Sequence, residues 1–278
     1  MSNKKKSNQI RWPQVYSIYK YGYKIFINME YAENGDLYTY LQSNTLTEPQ
    51  IRMWTMQILW AFRYMHTAGV VHRDMKCENV LLTGNFNVRI ADFGFTRFVG
   101  RGRNPGADTV CGTLAYSAPE LLAGTKPYNP MAVDVWAIGV VVFMMANNVA
   151  PFRDKFKEDM YKKQVTKHFG FRKVLGRSDY LKRFTAMFLE PNVQERVQIK
   201  NALQSYFIKI GNVKTPSKVQ NTATEENNHI STVPIINEVT MKSSSFTYQI
   251  SGNVKSISFF NTEFIPVEDS EAGIFRED

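Results

Sequence analysis

The alternation of apolar and polar positions predicts a β-hairpin near the start of the chain. Residues 14–20 and 24–29 are rich in β-branched and aromatic residues, and they flank the turn sequence Tyr-Gly-Tyr at 21–23. Residues 1–13 are mostly polar and are predicted to form a loose stub. Because a two-stranded hairpin alone covers neither its edges nor its faces, we expect an open edge and an exposed apolar face that includes Ile18, Ile25 and Ile27.

Two longer stretches predict helices. Residues 47–50 form a capping box with Pro49 in the first turn, and a stripe of apolar residues follows at three- and four-residue steps, namely Ile51, Trp54, Ile58, Phe62 and Met65. Gly69 is expected to end this helix. Residues 129–145 are apolar on nearly every side, which predicts a buried helix. Both helices are therefore interpreted as core.

Acidic, basic and amide side chains are crowded directly after the first of these helices. Residues 70–79 read Val-Val-His-Arg-Asp-Met-Lys-Cys-Glu-Asn, so Asp74, Lys76 and Asn79 share one short loop. Phosphoryl transfer needs an acceptor for the hydroxyl proton, a cation and a metal ligand, and these three side chains fit those needs. If this loop stood alone, a polar surface turn would be the better interpretation.

Two companion sequences follow the loop in order. The run Ile-Ala-Asp-Phe-Gly at 90–94 comes after an apolar stretch at 80–82 and a turn at 83–85, which predicts a hairpin that returns Asp92 to the side of Asn79. Two converging oxygen ligands suit a phosphate-bound Mg²⁺ ion. The second companion is Ala-Pro-Glu at 118–120.

The combination H-R-D-x-K-x-x-N, D-F-G and A-P-E resembles the signature of eukaryotic protein kinases. The resemblance covers residues 14–208, and it is strongest to the calcium/calmodulin-dependent group and its testis-specific serine/threonine kinases. It implies an α+β fold of the protein-kinase type, with a mostly helical large lobe and a small β lobe. It also implies a serine/threonine protein kinase that transfers the γ-phosphate of ATP with the help of Mg²⁺.

The resemblance assigns a role to each matching residue. Asp74 and Lys76 would be catalytic, and Asn79 and Asp92 would bind the metal. ATP would be held by the backbone of Glu30 and Ala32, by Asp36 at the pocket mouth, and by Leu81 beneath the adenine. The remaining matches would be structural: His72, Phe93, Asp134, and Glu120 paired with Arg196.

The resemblance also suggests regulation and substrate preference. Thr109 occupies the position of an activating phosphate, which Arg73 would bind, although an unmodified loop threonine is an equal alternative. Lys76 is typical of kinases that act on serine or threonine, and Phe95 directly after D-F-G is typical of those that prefer serine. Asp36 and Glu78 would flank the peptide groove, so we expect protein substrates with Arg upstream of the target residue.

One part of the kinase pattern is missing from this sequence. No G-x-G-x-x-G loop, V-A-I-K lysine or partner helix precedes the hairpin, so residues 14–208 would be a kinase domain with a truncated small lobe. Two hypotheses follow: an N-terminally incomplete form of an active kinase, or an inactive, kinase-like binding protein. The intact catalytic residues favour the first hypothesis. A small-molecule phosphotransferase is disfavoured by the A-P-E segment.

Composition and charge restrict the possible binding partners and the cellular location of the protein. The 278 residues are 44% hydrophobic and carry a net charge of +9, but their cations are scattered, which argues against nucleic-acid binding. Two cysteines form no disulfide framework, and we find no membrane span or secretion signal, so a cytoplasmic location is expected. Residues 209–278 are polar and read as a flexible tail with short apolar runs at 233–236, 256–260 and 264–267.

Overall fold

The strands belong to three small sheets. The computed structural model describes residues 11–100, 113–154 and 156–210, together with the backbone of 245–251. Its strands are β1 (Val15–Tyr21), β2 (Lys24–Glu30), β3 (Val70–Val71), β4 (Val80–Leu82), β5 (Val88–Ile90), β6 (Arg97–Phe98) and β7 (Ser245–Ser251). Within these residues the sheet orders are β1-β2-β7, β3-β6 and β4-β5.

The helices make up most of the regular structure after residue 36. They are α1 (Leu37–Ser43), α2 (Glu48–Thr67), α3 (Pro119–Leu122), α4 (Pro130–Asn147), α5 (Lys157–Val165), α6 (Asp179–Phe188), α7 (Ile199–Ala202) and α8 (Tyr206–Lys209). A small antiparallel sheet followed by a large helical part is the α+β architecture expected from the sequence. The predicted fold class is therefore confirmed.

Helix α2 begins and ends where its sequence predicts. The Thr47 hydroxyl accepts from the amide of Gln50, and the Gln50 side chain accepts from the amide of Thr47, which completes the capping box. All five residues of the predicted apolar stripe are buried. Gly69 follows the helix with φ +75°, and a Cβ atom there would lie 2.6 Å from the carbonyl oxygen of Gly100. Only glycine fits this turn without strain.

Helix α4 is the central helix of the large lobe. By length and composition it could cross a membrane, but 89% of it is buried within the fold, as expected for a core helix. It packs against α2 and α6. A Cβ atom at Gly139 would lie 2.5 Å from Cβ of Phe188, so this glycine permits the close approach of α4 and α6. The prediction of a buried helix is confirmed.

The β4–β5 hairpin connects residues 72–79, called the catalytic loop below because they include Asp74, with Asp92. Val80 pairs with Ile90 and Leu82 with Val88. Helix α2 anchors this hairpin, because the Gln57 side chain accepts from the amide of Val88 at 2.7 Å. The turn of the hairpin is also held, since the Trp54 indole donates to the carbonyl of Phe86 at 2.8 Å.

The small sheet differs from its expected form at one edge. Strands β1 and β2 form the predicted hairpin, with Gly22 at φ +57° in the turn. The other edge of β2 is paired along its whole length with β7, so the edge expected to be open there is filled by a segment of the tail. Ile27 is 4% exposed, whereas Ile18 on the outer strand β1 is 45% exposed.

Candidate active site

The structure brings Asp74, Lys76 and Asn79 into direct contact. The Lys76 ammonium donates to Oδ2 of Asp74 at 2.7 Å. The Asn79 amide nitrogen donates to the carbonyl of Asp74 at 2.8 Å and lies 3.3 Å from Asp74 Oδ2. Asp74 is 5% exposed, so its carboxylate is nearly buried and is held by these charge-assisted and amide hydrogen bonds.

Thr113 is a member of this cluster that the sequence analysis gave no role. Its hydroxyl donates to Oδ1 of Asp74 at 3.2 Å and accepts from the Lys76 ammonium at 3.4 Å. Thr113 lies 39 residues from Asp74 along the chain, so no short-range sequence spacing could have predicted the contact. Through Thr113, the segment before Ala118-Pro119-Glu120 is joined to the catalytic loop.

Asp134 holds the backbone of the catalytic loop from inside helix α4. Its carboxylate accepts from the amide of His72 at 3.0 Å and from the amide of Arg73 at 2.8 Å. The ring of His66 also contacts it, at 2.9 Å. Arg73 has φ +66°, a left-handed conformation that costs a non-glycine residue about 1–3 kcal/mol, and these hydrogen bonds stabilise it.

His72 connects the catalytic loop with the segment that carries Asp92. Its Nδ1 accepts from the amide of Asp74 at 3.3 Å, so Nε2 bears the proton and donates to the carbonyl of Ala91 at 3.1 Å. His72 is fully buried. Desolvation lowers the pKa of His72 below its ordinary value, against the opposing effect of the nearby carboxylates of Asp134, Asp74 and Asp92.

The two expected metal ligands are brought together by the backbone. The amide of Ala91 donates to the carbonyl of Asn79 at 2.9 Å, which places Asp92 next to the catalytic loop. Asp92 is exposed and has φ +58°, and its Oδ1 accepts from the amide of Gly94 at 3.1 Å. Phe93 packs beside His72, with ring centroids 5.3 Å apart.

The side chains of Asn79 and Asp92 suit a hard cation that takes its remaining ligands from phosphate and water. Asn79 uses its amide nitrogen toward Asp74, which leaves its Oδ1 for a metal. Among the described residues, no group of three or more His, Cys, Asp or Glu side chains is arranged to hold a metal ion. One carboxylate and one amide oxygen fit Mg²⁺, which is usually completed by phosphate oxygens and water.

The residues expected to hold ATP lie along one connection. The Glu30 carboxylate accepts from Arg89 at 2.9 Å through both Nε and Nη2, so its side chain ties β2 to β5. The carbonyl of Ala32 already accepts from Gly35 at 3.0 Å. The backbone of Leu81 on β4 pairs antiparallel with that of Asp36, and Leu81 is half-buried. The segment from Ala32 to Asp36 therefore lies beside the β4–β5 hairpin, which contains Leu81.

Asp36 is engaged in a way the sequence analysis did not anticipate. Its carboxylate caps helix α1, where Oδ1 accepts from the amide of Thr39 at 2.8 Å and Oδ2 from the hydroxyl at 2.7 Å. A ribose hydroxyl would have to share this carboxylate with the helix cap. The sequence does place an acidic residue before a helix, and that pattern could have indicated the cap.

Glu120 and Arg196 lie apart from the catalytic cluster and form a buried ion pair. The guanidinium donates to both carboxylate oxygens, at 2.7 and 2.9 Å, and to the carbonyl of Ala132 at 2.9 Å. It also lies over the ring of Trp136, 5.1 Å from the centroid. This pair joins α3 and α4 to the segment before α7.

Arg73 retains one unused donor group near the expected regulatory segment. Its Nε donates to the carbonyl of Phe95 at 2.7 Å, whereas its buried Nη1 has no partner in the described part of the chain. Thr109, its expected phosphorylated partner, lies outside the described residues. The structure therefore presents the arginine but does not test the pairing.

Comparison with known proteins identifies the family. The sequence model of the protein kinase domain matches residues 4–208. Testis-specific serine/threonine-protein kinase 3 of Mus musculus is 40% identical over 179 residues, which cover 62% of this chain and 66% of that kinase. CBL-interacting protein kinase 10 of Oryza sativa subsp. japonica is 32% identical over 208 residues, covering 73% of this chain and 46% of that kinase.

A third relative shows the same pattern of partial coverage. Testis-specific serine/threonine-protein kinase 2 of Mus musculus is 35% identical over 184 residues, which are 65% of this chain and 51% of that protein. The chain spans about half the length of most of these relatives. Because the family match extends over most of the chain and includes the site described above, the chain belongs to the protein kinase domain family.

Proposed function

We propose that the protein is a serine/threonine protein kinase that phosphorylates proteins with ATP. The observation that carries the proposal is the nearly buried Asp74 carboxylate, which is fixed by Lys76, Asn79 and Thr113 at once. In the proposed step, a substrate hydroxyl gives its proton to Asp74 while its oxygen attacks the γ-phosphorus. The bond from that phosphorus to the β–γ bridging oxygen breaks, and ADP leaves.

Kinases of this family generally use ATP and Mg²⁺, and the residues described here fit both. Asn79 and Asp92 would hold Mg²⁺, which supplies positive charge to the phosphates. The Lys76 ammonium lies at Asp74 and adds a second positive charge where the transferred group would pass. The backbone of Glu30 and Ala32 and the side chain of Leu81 would bind the adenine, with Asp36 at the ribose.

Peptides with Arg upstream of the acceptor are the proposed substrates. Glu78 is exposed on the catalytic loop, and within the described part of the chain its carboxylate accepts from the Tyr116 hydroxyl at 3.2 Å. Its charge is therefore accessible to a substrate guanidinium, whereas the Asp36 carboxylate is occupied by the α1 cap. A peptide array should show selection for upstream Arg that Glu78→Gln weakens. Selection for upstream acidic residues, or for tyrosine acceptors, would contradict the proposal.

Phosphorylation of Thr109 is the proposed means of activation. The unpartnered Nη1 of Arg73 could donate to a phosphate and order the segment next to the catalytic loop. Mass spectrometry of active protein from its native cell should find phosphate on Thr109. Active protein with unmodified Thr109 would refute this mode of activation.

As an ATP-dependent enzyme of this kind, the protein is proposed to work in the cytoplasm.

Phosphate transfer and nucleotide binding test the function separately. The purified protein should move radiolabelled phosphate from ATP to a serine peptide, and Mg-ATP should raise its melting temperature. Asp92→Asn should remove the Mg-dependent part of that rise. If Mg-ATP stabilises the protein but no substrate is labelled, the inactive, kinase-like binding protein becomes the better description. If Mg-ATP neither stabilises the protein nor labels a substrate, the proposed ATP-dependent function is wrong.

A further inference from the structure

The outer edge of β2 is occupied by a strand from far along the chain. Strand β7 pairs antiparallel with β2 at seven successive positions, from Lys24 opposite Ser251 to Glu30 opposite Ser245. Thirty-four residues, 211–244, separate β7 from Ile210, the last residue that the structure describes before it. Strand β2 therefore has a partner on each side, with β1 on one and β7 on the other.

The sequence of β7 matches this position independently of the pairing itself. It reads Ser-Phe-Thr-Tyr-Gln-Ile-Ser, a strict alternation of polar and apolar residues. In the observed register, Phe246 stands opposite Met29, Tyr248 opposite Ile27 and Ile250 opposite Ile25. Directly opposed residues of an antiparallel pair share one face of the sheet, so apolar positions meet apolar positions. A shift of one residue would reverse this match at every position.

The polar positions of β7 fall on the other face in the same way. Thr247 stands opposite Asn28, and Gln249 opposite Phe26, whose ring stacks on Tyr19 of β1 at 5.0 Å. The face shared by the apolar positions includes Ile27, the only strand residue of the β1–β2 hairpin that is classed as buried. The register thus directs the apolar half of β7 to the more buried face of the hairpin.

We propose that the edge of β2 is a strand-docking site and that its occupant is the chain's own segment 245–251. An unpaired edge exposes a row of amide and carbonyl groups that can recruit other chains, and pairing in cis satisfies those groups of β2. Thirty-four residues can reach over about 100 Å when extended, so the connection permits this docking. Tethering raises the effective concentration of such a segment, to the order of millimolar for a flexible tether, which favours it over a second copy.

Disulfide trapping tests both the register and the origin of the strand. In the full chain with Cys111→Ser, leaving the buried Cys77 in place, we introduce Asn28→Cys with Thr247→Cys. Opposed residues lie about 4.5–5.5 Å apart, within the range of a disulfide, whereas the diagonal control Asn28→Cys with Gln249→Cys spans about 7–8 Å. The first pair should form an intrachain disulfide at least tenfold faster than the control.

Every other result of the trapping overturns the proposal. Equal rates for the two pairs would mean that the register is not held, and no disulfide in either would mean that the strand does not dock. An interchain disulfide in the first pair would assign the edge to a second copy. These measurements do not involve phosphate transfer, so their outcome is independent of the proposed kinase activity.

A matched pair of substitutions adds a second, noncovalent test. Tyr248→Lys places a charge on the apolar face of β7, and Thr247→Lys places the same charge on the polar face. Hydrogen exchange of the β2 amides that point toward β7, every second one along the strand, should accelerate at least tenfold in Tyr248→Lys and stay near the wild-type rate in Thr247→Lys. The same acceleration in both variants, or in neither, would contradict docking in the observed register.

Discussion

The catalytic loop and the small sheet keep their shape by different means. The loop is surrounded by buried polar groups that bind one another, among them Asp74, Asn79 and Asp134. The β1–β2 hairpin relies on strand pairing, and its outer strand exposes large side chains such as Tyr16, Ile18 and Tyr19. The comparison teaches that side-chain chemistry determines geometry at the loop, whereas backbone pairing does so at the sheet.

This difference predicts where single substitutions act. A buried polar group that loses its partner destabilises the fold by more than the net contribution of one hydrogen bond, because no water molecule can replace the partner. An exposed apolar side chain on an edge strand loses little when it is shortened. We therefore expect large effects in the loop and its supports, and small effects in β1.

The largest effect is expected for the side chain assigned as proton acceptor. Asp74→Asn keeps the size of the side chain but removes its basicity, and positioned proton acceptors contribute about 10²–10⁴-fold to a rate. We expect the rate of phosphate transfer to fall by that factor. Initial rates of peptide phosphorylation measure it.

Asp159→Asn is the matched control for that substitution. Asp159 lies on α5, 50% exposed, with Lys162 at 3.7 Å as its surface partner. It should leave the rate unchanged. An Asp74→Asn protein that phosphorylates peptides as fast as this control would remove Asp74 from the catalytic role.

The sequence was sufficient for the helix and hairpin that position the site. The capping box at Thr47 and the stripe through Ile58 fixed α2, because a helix start and a buried face are local properties. The turn after β4 likewise returned the chain so that Ala91 contacts Asn79. These features depend on neighbouring residues, so a single sequence is enough to predict them.

Contacts between distant segments were beyond the sequence patterns. Thr113 at Asp74, and Arg89 at Glu30, join residues 39 and 59 positions apart, and neither spacing has a local signature. Strand β7 has clear alternation, but its partner lies more than 200 residues away, and an isolated alternating segment does not indicate which edge it joins. The short apolar runs singled out in the tail lie elsewhere.

Breaking the buried ion pair should have the next largest effect. Arg196→Met leaves the Glu120 carboxylate, 7% exposed, without its partner, and such a change costs about 3–5 kcal/mol. We expect the free energy of unfolding to fall by that amount in urea denaturation. Removing the stranded charge as well, in Glu120→Leu with Arg196→Met, should recover part of the loss.

An exposed ion pair provides the control for Arg196→Met. Lys182 contacts Asp179 at 3.1 Å, with side chains 42% and 79% exposed, and exposed pairs contribute about 0–1 kcal/mol. Lys182→Met should therefore change stability little. Equal losses in the two variants would mean that burial of the pair does not decide its contribution.

Two isoleucines compare helix α2, which supports the catalytic loop, with the small sheet. Ile58→Ala in α2 removes a fully buried side chain and should cost about 2–5 kcal/mol through lost contacts and the cavity left behind. Ile18→Ala in β1, which is 45% exposed, should cost no more than about 0.5 kcal/mol. Urea denaturation of both variants measures the ratio. Similar costs would show that the outer strand is as tightly packed as the core, against the comparison above.

The smallest expected effect concerns pH and His72. Burial lowers the pKa of His72 in the folded protein, so below about pH 6.5 the unfolded chain binds a proton there that the folded chain does not. Acid therefore favours the unfolded state, and the free energy of unfolding falls as the pH decreases from about 6.5 toward the lower pKa of His72 in the folded protein. The slope from one such group is at most about 1.4 kcal/mol per pH unit.

A difference between two proteins isolates the contribution of His72 to this slope. His72→Asn keeps a polar side chain but cannot titrate, and other groups titrate equally in both proteins, so they cancel. We expect the wild type to lose stability faster than the variant as urea denaturation is repeated from pH 7.5 down to 5.5. The variant should be less stable at pH 7.5, because it cannot reproduce both hydrogen bonds of the ring, to Asp74 and to Ala91. Parallel pH curves for the two proteins would mean that His72 has the same pKa folded and unfolded, and that its burial between the catalytic loop and the Asp92 segment is not maintained in solution.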